Sequence, residues 1–338
     1  MKIIVDAFGG DNAPLEILKG CELAVAEYDV DILLSGKSDI IKKCAADNGI
    51  SLNRMEFVEA DEVISMDDSP ESVIKTKKNS SMAVGMKCLA EGKGDAFISA
   101  GSTGAVLMGG TFIVKRIKGI KRAALAPILP SEPSRAGVML IDSGANVECR
   151  PEMLLQFGIM GYYYMKSCGI DNPRVGLLNV GTEDEKGGEL QNQAFELLKN
   201  SQINFIGNVE ARDVLRGACD VLVCDGFSGN VLLKSCEGTV VVVMDNLKEI
   251  FSKNIFTKMC YLILKPGLRK FKKKLDYTER GGAPLMGVTK PVIKAHGNSK
   301  AKAFKNAIGQ AVKFVDGGSI DNITAAVAAV REKNSNNE

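Results

Sequence analysis

The chain has 338 residues, 45% of them hydrophobic and 25% charged, and a formal net charge of +2. That length supports a large core, near the size at which cores divide into lobes, and the charge balance does not favour a nucleic-acid partner. Nine scattered cysteines, a single histidine (His296), no secretory leader and no run that reads as long and apolar enough to span a bilayer exclude zinc-finger, disulfide-scaffold and membrane-spanning classes and suit the reduced cytoplasm.

In chain order, Lys2–Val5 reads as a strand that opens into Asp6-Ala7-Phe8-Gly9-Gly10-Asp11, and Pro14 suits the first turn of a helix reaching about Tyr28. Asp31–Gly36 is a second strand and Met55–Val58 a third, with a helix between them. A polar stretch from Asp61 to Lys78 carries the helix start Ser69-Pro70-Glu71, and a helix over Met82–Glu91 follows. The short apolar run Ala96–Ser99 then ends in Ala100-Gly101-Ser102-Thr103-Gly104, after which helical spacing runs on towards Lys115. Gly101 and Gly104 permit close approach, and Ser102 or Thr103 would cap the helix. Such a turn either binds an anion through free N–H groups or only packs helix on sheet.

Ala123–Leu129 and Val138–Ile141 read as two strands joined by the loop Pro130–Arg135, and the second delivers Asp142-Ser143-Gly144-Ala145-Asn146. Pro151 opens a helix to about Cys168. Val175–Val180 leads into Gly181–Gly188, which holds Lys186, and a helix runs on through Leu197. Asn204–Ile206 and Asp220–Cys224 are further strands, the latter ending in Asp225-Gly226-Phe227-Ser228-Gly229-Asn230. From Val231 the texture becomes helical, and 240–285 reads as a helical arm. Its apolar piece Ile255–Leu264 meets a basic one, Lys265–Lys274, with Pro266-Gly267 predicted to break it into two helices. A strand and turn at Val292–Gly297 and two helices, Ala301–Val315 and Asn322–Arg331, complete the chain.

Strands alternating with helices at this spacing predict a three-layer α/β/α architecture with a mostly parallel sheet, one two-lobed domain over 1–338. Nearly every strand empties into a loop of Gly, Asp, Asn, Ser or Thr. In open parallel sheets such loops gather beyond the carboxyl ends of the strands, where the site forms.

In this order the loops resemble those of the bacterial phosphate acyltransferases of phospholipid synthesis, which make acyl phosphate from acyl-acyl-carrier protein and orthophosphate. The matching pieces are Asp6–Asp11, Ser99–Ala105, Leu125–Pro127, Asp142–Asn146, Arg174–Lys186, Asn204–Arg212, Asp220–Asn230, Gly281–Leu285 and Pro291–Gly297, spanning almost the whole chain. The chain departs from the family at Ser102, usually Asn, and at Ser228, often Thr. The resemblance implies a fold similar to isocitrate and isopropylmalate dehydrogenases and to phosphotransacetylase. It also implies a homodimer, peripheral attachment to the cytoplasmic membrane, and a downstream glycerol-3-phosphate acyltransferase as partner.

Phosphate attack on a thioester needs an anion cradle, a donor for the developing oxyanion and an acid for the departing sulfur. Phosphate is itself the nucleophile, so no covalent enzyme intermediate is needed. The cradle is expected from Gly101, Ser102, Thr103 and Gly104, helped by Gly9, Gly10 and Asp11, and a side chain at Gly104 is expected to block the anion. Asn146, Asn179 and Asn230 are amides at strand ends that either orient substrate or brace their loops. Lys186 is the expected cation, Asp225 a group to position it or take a proton, and His296 a proton-transfer group or a structural residue. No cofactor and no zinc site is expected; magnesium on Asp residues stays open. The basic run Lys115–Arg122 would dock the acidic carrier protein or be a solvated face.

Two other functions suit such a chain. One is a non-catalytic acyl-carrier or lipid-binding scaffold at the membrane, which has no need of so many polar strand-end loops. The other is an NAD-linked dehydrogenase, for which no G-x-G-x-x-G follows a strand with an acidic residue downstream.

Overall fold

A computed structural model describes residues 1–131, 137–275 and 281–335. Most of the expected loop Pro130–Arg135 and the stretch 276–280 of the expected arm lie outside the described residues. β1 (Lys2–Asp6) buries Ile3, Ile4 and Val5 completely, as a strand covered on both faces must. α1 (Leu15–Tyr28), β2 (Asp31–Ser35), α2 (Ser38–Asn48), β3 (Met55–Val58), a single turn at Pro70–Val73, α3 (Ser81–Ala90) and β4 (Ala96–Ser99) follow. α4 (Thr103–Gly109) starts where the Ser102 hydroxyl accepts the Ala105 N–H at 3.5 Å, and it widens into a π turn over Gly110–Lys115.

The stretch read as one strand at 123–129 is two, β5 (Ala124–Leu125) and β6 (Ile128–Leu129), in different sheets. Pro127 between them has no N–H with which to continue a ladder. Next come β7 (Val138–Ile141), α5 (Pro151–Ser167), β8 (Val175–Asn179), α6 (Glu189–Lys199), β9 (Phe205–Glu210), β10 (Val221–Val223), α7 (Gly226–Ser252), α8 (Ile255–Leu275), β11 (Ala283–Met286), β12 (Val292–Lys294), α9 (Ala301–Asp316) and α10 (Ser319–Ser335).

The strands form two sheets, of order β3-β2-β1-β4-β12-β11-β5 and β6-β7-β10-β8-β9. β1, β2, β3, β4 and β12 are mutually parallel, as are β7, β8, β9 and β10, while β11 and β6 run against their neighbours. The expected mostly parallel, helix-covered architecture is therefore present. The chain moves outward from β1 through β2 to β3 and then returns to the other side of β1 with β4, so the order reverses between β1 and β4. Such a reversal opens a crevice at the carboxyl ends of those two strands. Tyr164 of α5 stacks edge-on against Phe314 of α9, ring centres 5.0 Å apart, and its hydroxyl accepts from Gln310 Nε2 at 3.3 Å, so helices of the two halves share one core.

Two expectations need correction. α7 has 27 residues and is long and apolar enough, by length and composition, to cross a membrane. Lys234 and Glu237 interrupt its apolar run and hid it from the sequence reading. α8 runs unbroken through Pro266 instead of dividing there. Proline removes one backbone donor and crowds one turn, whereas the Leu, Lys and Arg residues around it favour helix throughout. α7 and α8 pack on each other and leave Val241, Phe256 and Ile263 at 59%, 76% and 79% exposure.

Candidate active site

β1 and β4 end side by side, and their loops interlock. The buried Asp6 accepts the Ser99 hydroxyl at 2.6 Å and the Phe8 N–H at 3.2 Å. Burial pushes its carboxyl above the usual range, and hydrogen bonds from Ser81 and Ser99 offset part of that. Ser99 Oγ in turn accepts the Gly101 N–H at 3.0 Å. A side chain at Gly9 is impossible without movement, because its first carbon would lie 2.5 Å from Asp6 Oδ2 and 2.8 Å from Gly101 N. Gly10 turns the chain at φ +98°, and the next N–H, of Asp11, reaches Gly297 O at 2.9 Å. Ala295 N–H donates to Ser99 O at 2.9 Å, so the loops after β1, β4 and β12 form one body.

The structure thus gathers Gly9, Gly10, Asp11, Gly101, Ser102, Thr103, Gly104 and His296 at the crevice. Gly104 does so for another reason than expected. A side chain there would meet the Pro70 ring at 2.7 Å and 3.0 Å, so its smallness serves the turn at Pro70–Val73. His296 Nδ1 accepts the Asn298 N–H at 3.3 Å, which leaves the neutral ring's proton on Nε2. Desolvation first, then the nearby Lys294 charge, hold its pKa below the ordinary value, against the pull of Glu237 and Asp11.

A second group forms where β7 and β10 end. Asp142, fully buried, accepts N–H groups of Leu125 (2.9 Å), Ser143 (2.8 Å), Ala145 (3.3 Å) and Asn146 (2.6 Å), and the Asn146 amide at 3.0 Å. Leu125 belongs to β5, so this carboxylate ties one sheet to the other. The Asn146 amide also donates to Ala123 O at 2.8 Å, a bracing role. Asp225 caps α7 by accepting the Ser228 N–H and hydroxyl, both at 2.8 Å. Asn230, one turn on, lies beside Gly144, whose φ of +124° suits glycine alone. Lys234 and Glu237, further along α7, both act on the charge of His296, so this helix links the two groups.

Asn179 and Lys186 stand at the end of β8, the parallel neighbour of β10. The Asn179 amide donates to Lys186 O at 2.8 Å and Asn208 Oδ1 at 3.0 Å, while Asn208 holds Glu183 O at 2.7 Å. Asn179 therefore shapes the loop that presents Lys186, and Lys186 makes no ion pair among the described residues. In the basic run, the Arg116 guanidinium donates to Lys121 O and Lys121 Nζ lies 3.7 Å from Glu152.

Sequence reasoning missed Lys294. It is the last residue of β12, 8% exposed, with Nζ donating to Ala100 O at 3.4 Å and to Ala295 O. Burial pushes its pKa down to about 8. Cys149, beside the Asp142 loop, is pushed up to about 12 by desolvation, and Cys219 likewise to about 12. Among the described residues no three His, Cys, Asp or Glu side chains converge as a metal requires.

The whole fold resembles a phosphotransacetylase from Streptococcus pyogenes, with a TM-score of 0.63 at 16% identity, over 95% of this chain and 94% of that one. A family model described as "Fatty acid synthesis protein" matches residues 1–322. The phosphate acyltransferase of Caldanaerobacter subterraneus subsp. tengcongensis is 52% identical over 93% of this chain and 94% of its own length. That of Alkaliphilus oremlandii is 49% identical over 98% of both. The resemblance read from the loops holds along nearly the full chain, and the protein belongs to the phosphate acyltransferase family, as an enzyme of that kind.

Proposed function

We propose that this enzyme transfers the acyl group of acyl-acyl-carrier protein to orthophosphate, supplying acyl phosphate for phospholipid synthesis. The observation that carries the reading is the interlocked turn pair, Gly9-Gly10 against Gly101, seated at the β1/β4 reversal in front of the α4 N-terminus. An oxygen of phosphate attacks the thioester carbonyl carbon. The C–O bond forms, the tetrahedral oxyanion collapses, the C–S bond breaks, and the departing thiolate takes up the proton that hydrogen phosphate gives up, leaving as the thiol.

Ser102, Thr103 and the glycine turns hold phosphate, with Asp11 at their rim. His296, neutral at pH 7 and protonated on Nε2, donates to the oxyanion or the leaving sulfur. Asn230 and Lys186 face the acyl donor, and Asp225 fixes Asn230 by capping its helix. Asn146 and Asn179 hold the loops that present these groups. The exposed cations of the run Lys115–Arg122 attract the acidic carrier protein, while Ile117 and Ile120 anchor the run in the core. The apolar faces of α7 and α8 serve a second copy of the chain and the surface of the cytoplasmic membrane, where the lipid-soluble product passes to a glycerol-3-phosphate acyltransferase.

Incubation with acyl-carrier thioester and phosphate tests the reaction. Free thiol should appear only with phosphate, together with an acyl product that hydroxylamine traps. Thiol release without phosphate, or none at all, overturns it and leaves the scaffold reading.

A further inference from the structure

The crevice holds one buried cation, Lys294, that is in ion-pair contact with no carboxylate among the described residues. Lys294 ends β12 between β4 and β11, its backbone paired with Ser99 on one side and Ala283 on the other. The residue is 8% exposed, and its ammonium reaches two main-chain carbonyls, Ala100 O and Ala295 O. It makes no ion pair with any described carboxylate. Asp6, the carboxyl deepest in the crevice, hydrogen-bonds Ser99 instead, and burial favours its neutral form. Asp11 lies on the next loop, close enough to act on the Lys294 charge but outside ion-pair distance. A buried cation left in this state is costly unless something anionic completes its shell.

We propose that Lys294 is the counter-charge for the phosphate substrate, and that an anion seated on the Gly101 turn completes its hydrogen bonding. Ala100, which its ammonium already touches, opens the turn against which the same anion would sit, beyond the Gly101 N–H that Ser99 Oγ holds. The assignment rests on the phosphate-transfer reading for the identity of its ligand. It divides the labour between two lysines, with Lys294 on phosphate and Lys186 on the acyl donor. The groups facing Lys294 are Asp6 of β1, Asp11 of the following loop, His296 of its own loop and Lys234 of α7. Asp6 and Asp11 favour its charged form, whereas burial and Lys234 oppose it. The ammonium therefore discharges near pH 8, and the site should lose its hold on anions there.

Sulfate is the probe, because its charge stays constant across this range. Calorimetric titration of the wild-type enzyme with sulfate should show affinity falling steeply between about pH 7 and about pH 9. Lys294→Met should weaken sulfate at pH 7 by about tenfold or more and abolish that fall, and Lys294→Arg should restore binding without it. In turnover, Lys294→Met should raise the KM for phosphate far more than that for the acyl donor. A wild-type sulfate affinity that is flat with pH overturns the proposal without needing any variant. So does a folded Lys294→Met protein that binds sulfate as the wild type does. If sulfate binding depends on Lys294 while wild type makes no acyl phosphate, the anion site stands and the reaction assigned to it fails.

Discussion

A buried lysine leaves a thermodynamic mark of its own. Lys294 titrates near 8 in the folded chain against 10.5 unperturbed, so the unfolded chain holds the extra proton between those values. Stability from this group is therefore lowest below about pH 8 and recovers as pH rises towards 10.5. Lys294→Met should stabilise the protein at pH 7 by on the order of 2 kcal/mol while weakening phosphate binding. The urea midpoint of the two proteins, compared at pH 7 and again near pH 10, checks this: the gap should close at the higher pH. A variant less stable at both would show that Lys294 is a structural residue. Cys149 carries the opposite expectation. Its thiol stays protonated, so Cys149→Ser should keep turnover within a few-fold, and intact-mass spectrometry should find no acyl-enzyme. A trapped acyl adduct on any cysteine defeats direct attack by phosphate.

The strand-turn-helix at Ala96–Lys115 was legible in the sequence because its signals are local: an apolar run, small residues, then a capping hydroxyl that the structure uses. What Gly104 faces was not local. The Pro70 ring reaches it from a turn more than thirty residues earlier, so Gly104→Val should overpack that contact, costing about 1–3 kcal/mol, with the phosphate KM nearly unchanged in folded protein. A large rise in that KM with the urea midpoint unmoved would return Gly104 to the anion site. Lys294 was illegible for the same reason. In Val-Ile-Lys-Ala-His-Gly the sequence shows a strand and a turn, and nothing local marks the lysine as buried. Only the insertion of β12 between β4 and β11 buries it. The split into β5 and β6 turns on one missing N–H, and α8 ignores its proline because the surrounding propensity outweighs it. Asp142 was visible only as one polar residue in a loop of them, yet it accepts five hydrogen bonds.

At the scale of the molecule, the two sheets supply the chemistry and the paired helices α7 and α8 supply the apolar surface. In sequence, the second half of α8 carries Lys265, Arg269, Lys270, Lys272, Lys273 and Lys274, following the exposed Phe256, Leu262 and Ile263 of its first half. Attraction of each surface cation to an anionic leaflet contributes roughly 1 kcal/mol. Reversing Lys270, Lys272 and Lys273 to Glu should thus weaken sedimentation with anionic vesicles steeply at low salt, the gap to wild type narrowing at high salt where the attraction is screened, with turnover on the soluble carrier substrate little changed. If wild type never sediments with such vesicles, the helix pair serves only a second copy of the chain. α7 has one further property. Its inner end is the Asp225 cap beyond β10, and its 27 residues extend about 40 Å outward as a single rod. A rod has no joint at which to absorb a tilt. On the proposed reading, whatever seats its outer end would therefore also set the angle at which Lys234 and Glu237 meet the loop of His296, so anchorage and alignment of that loop would become one mechanical adjustment.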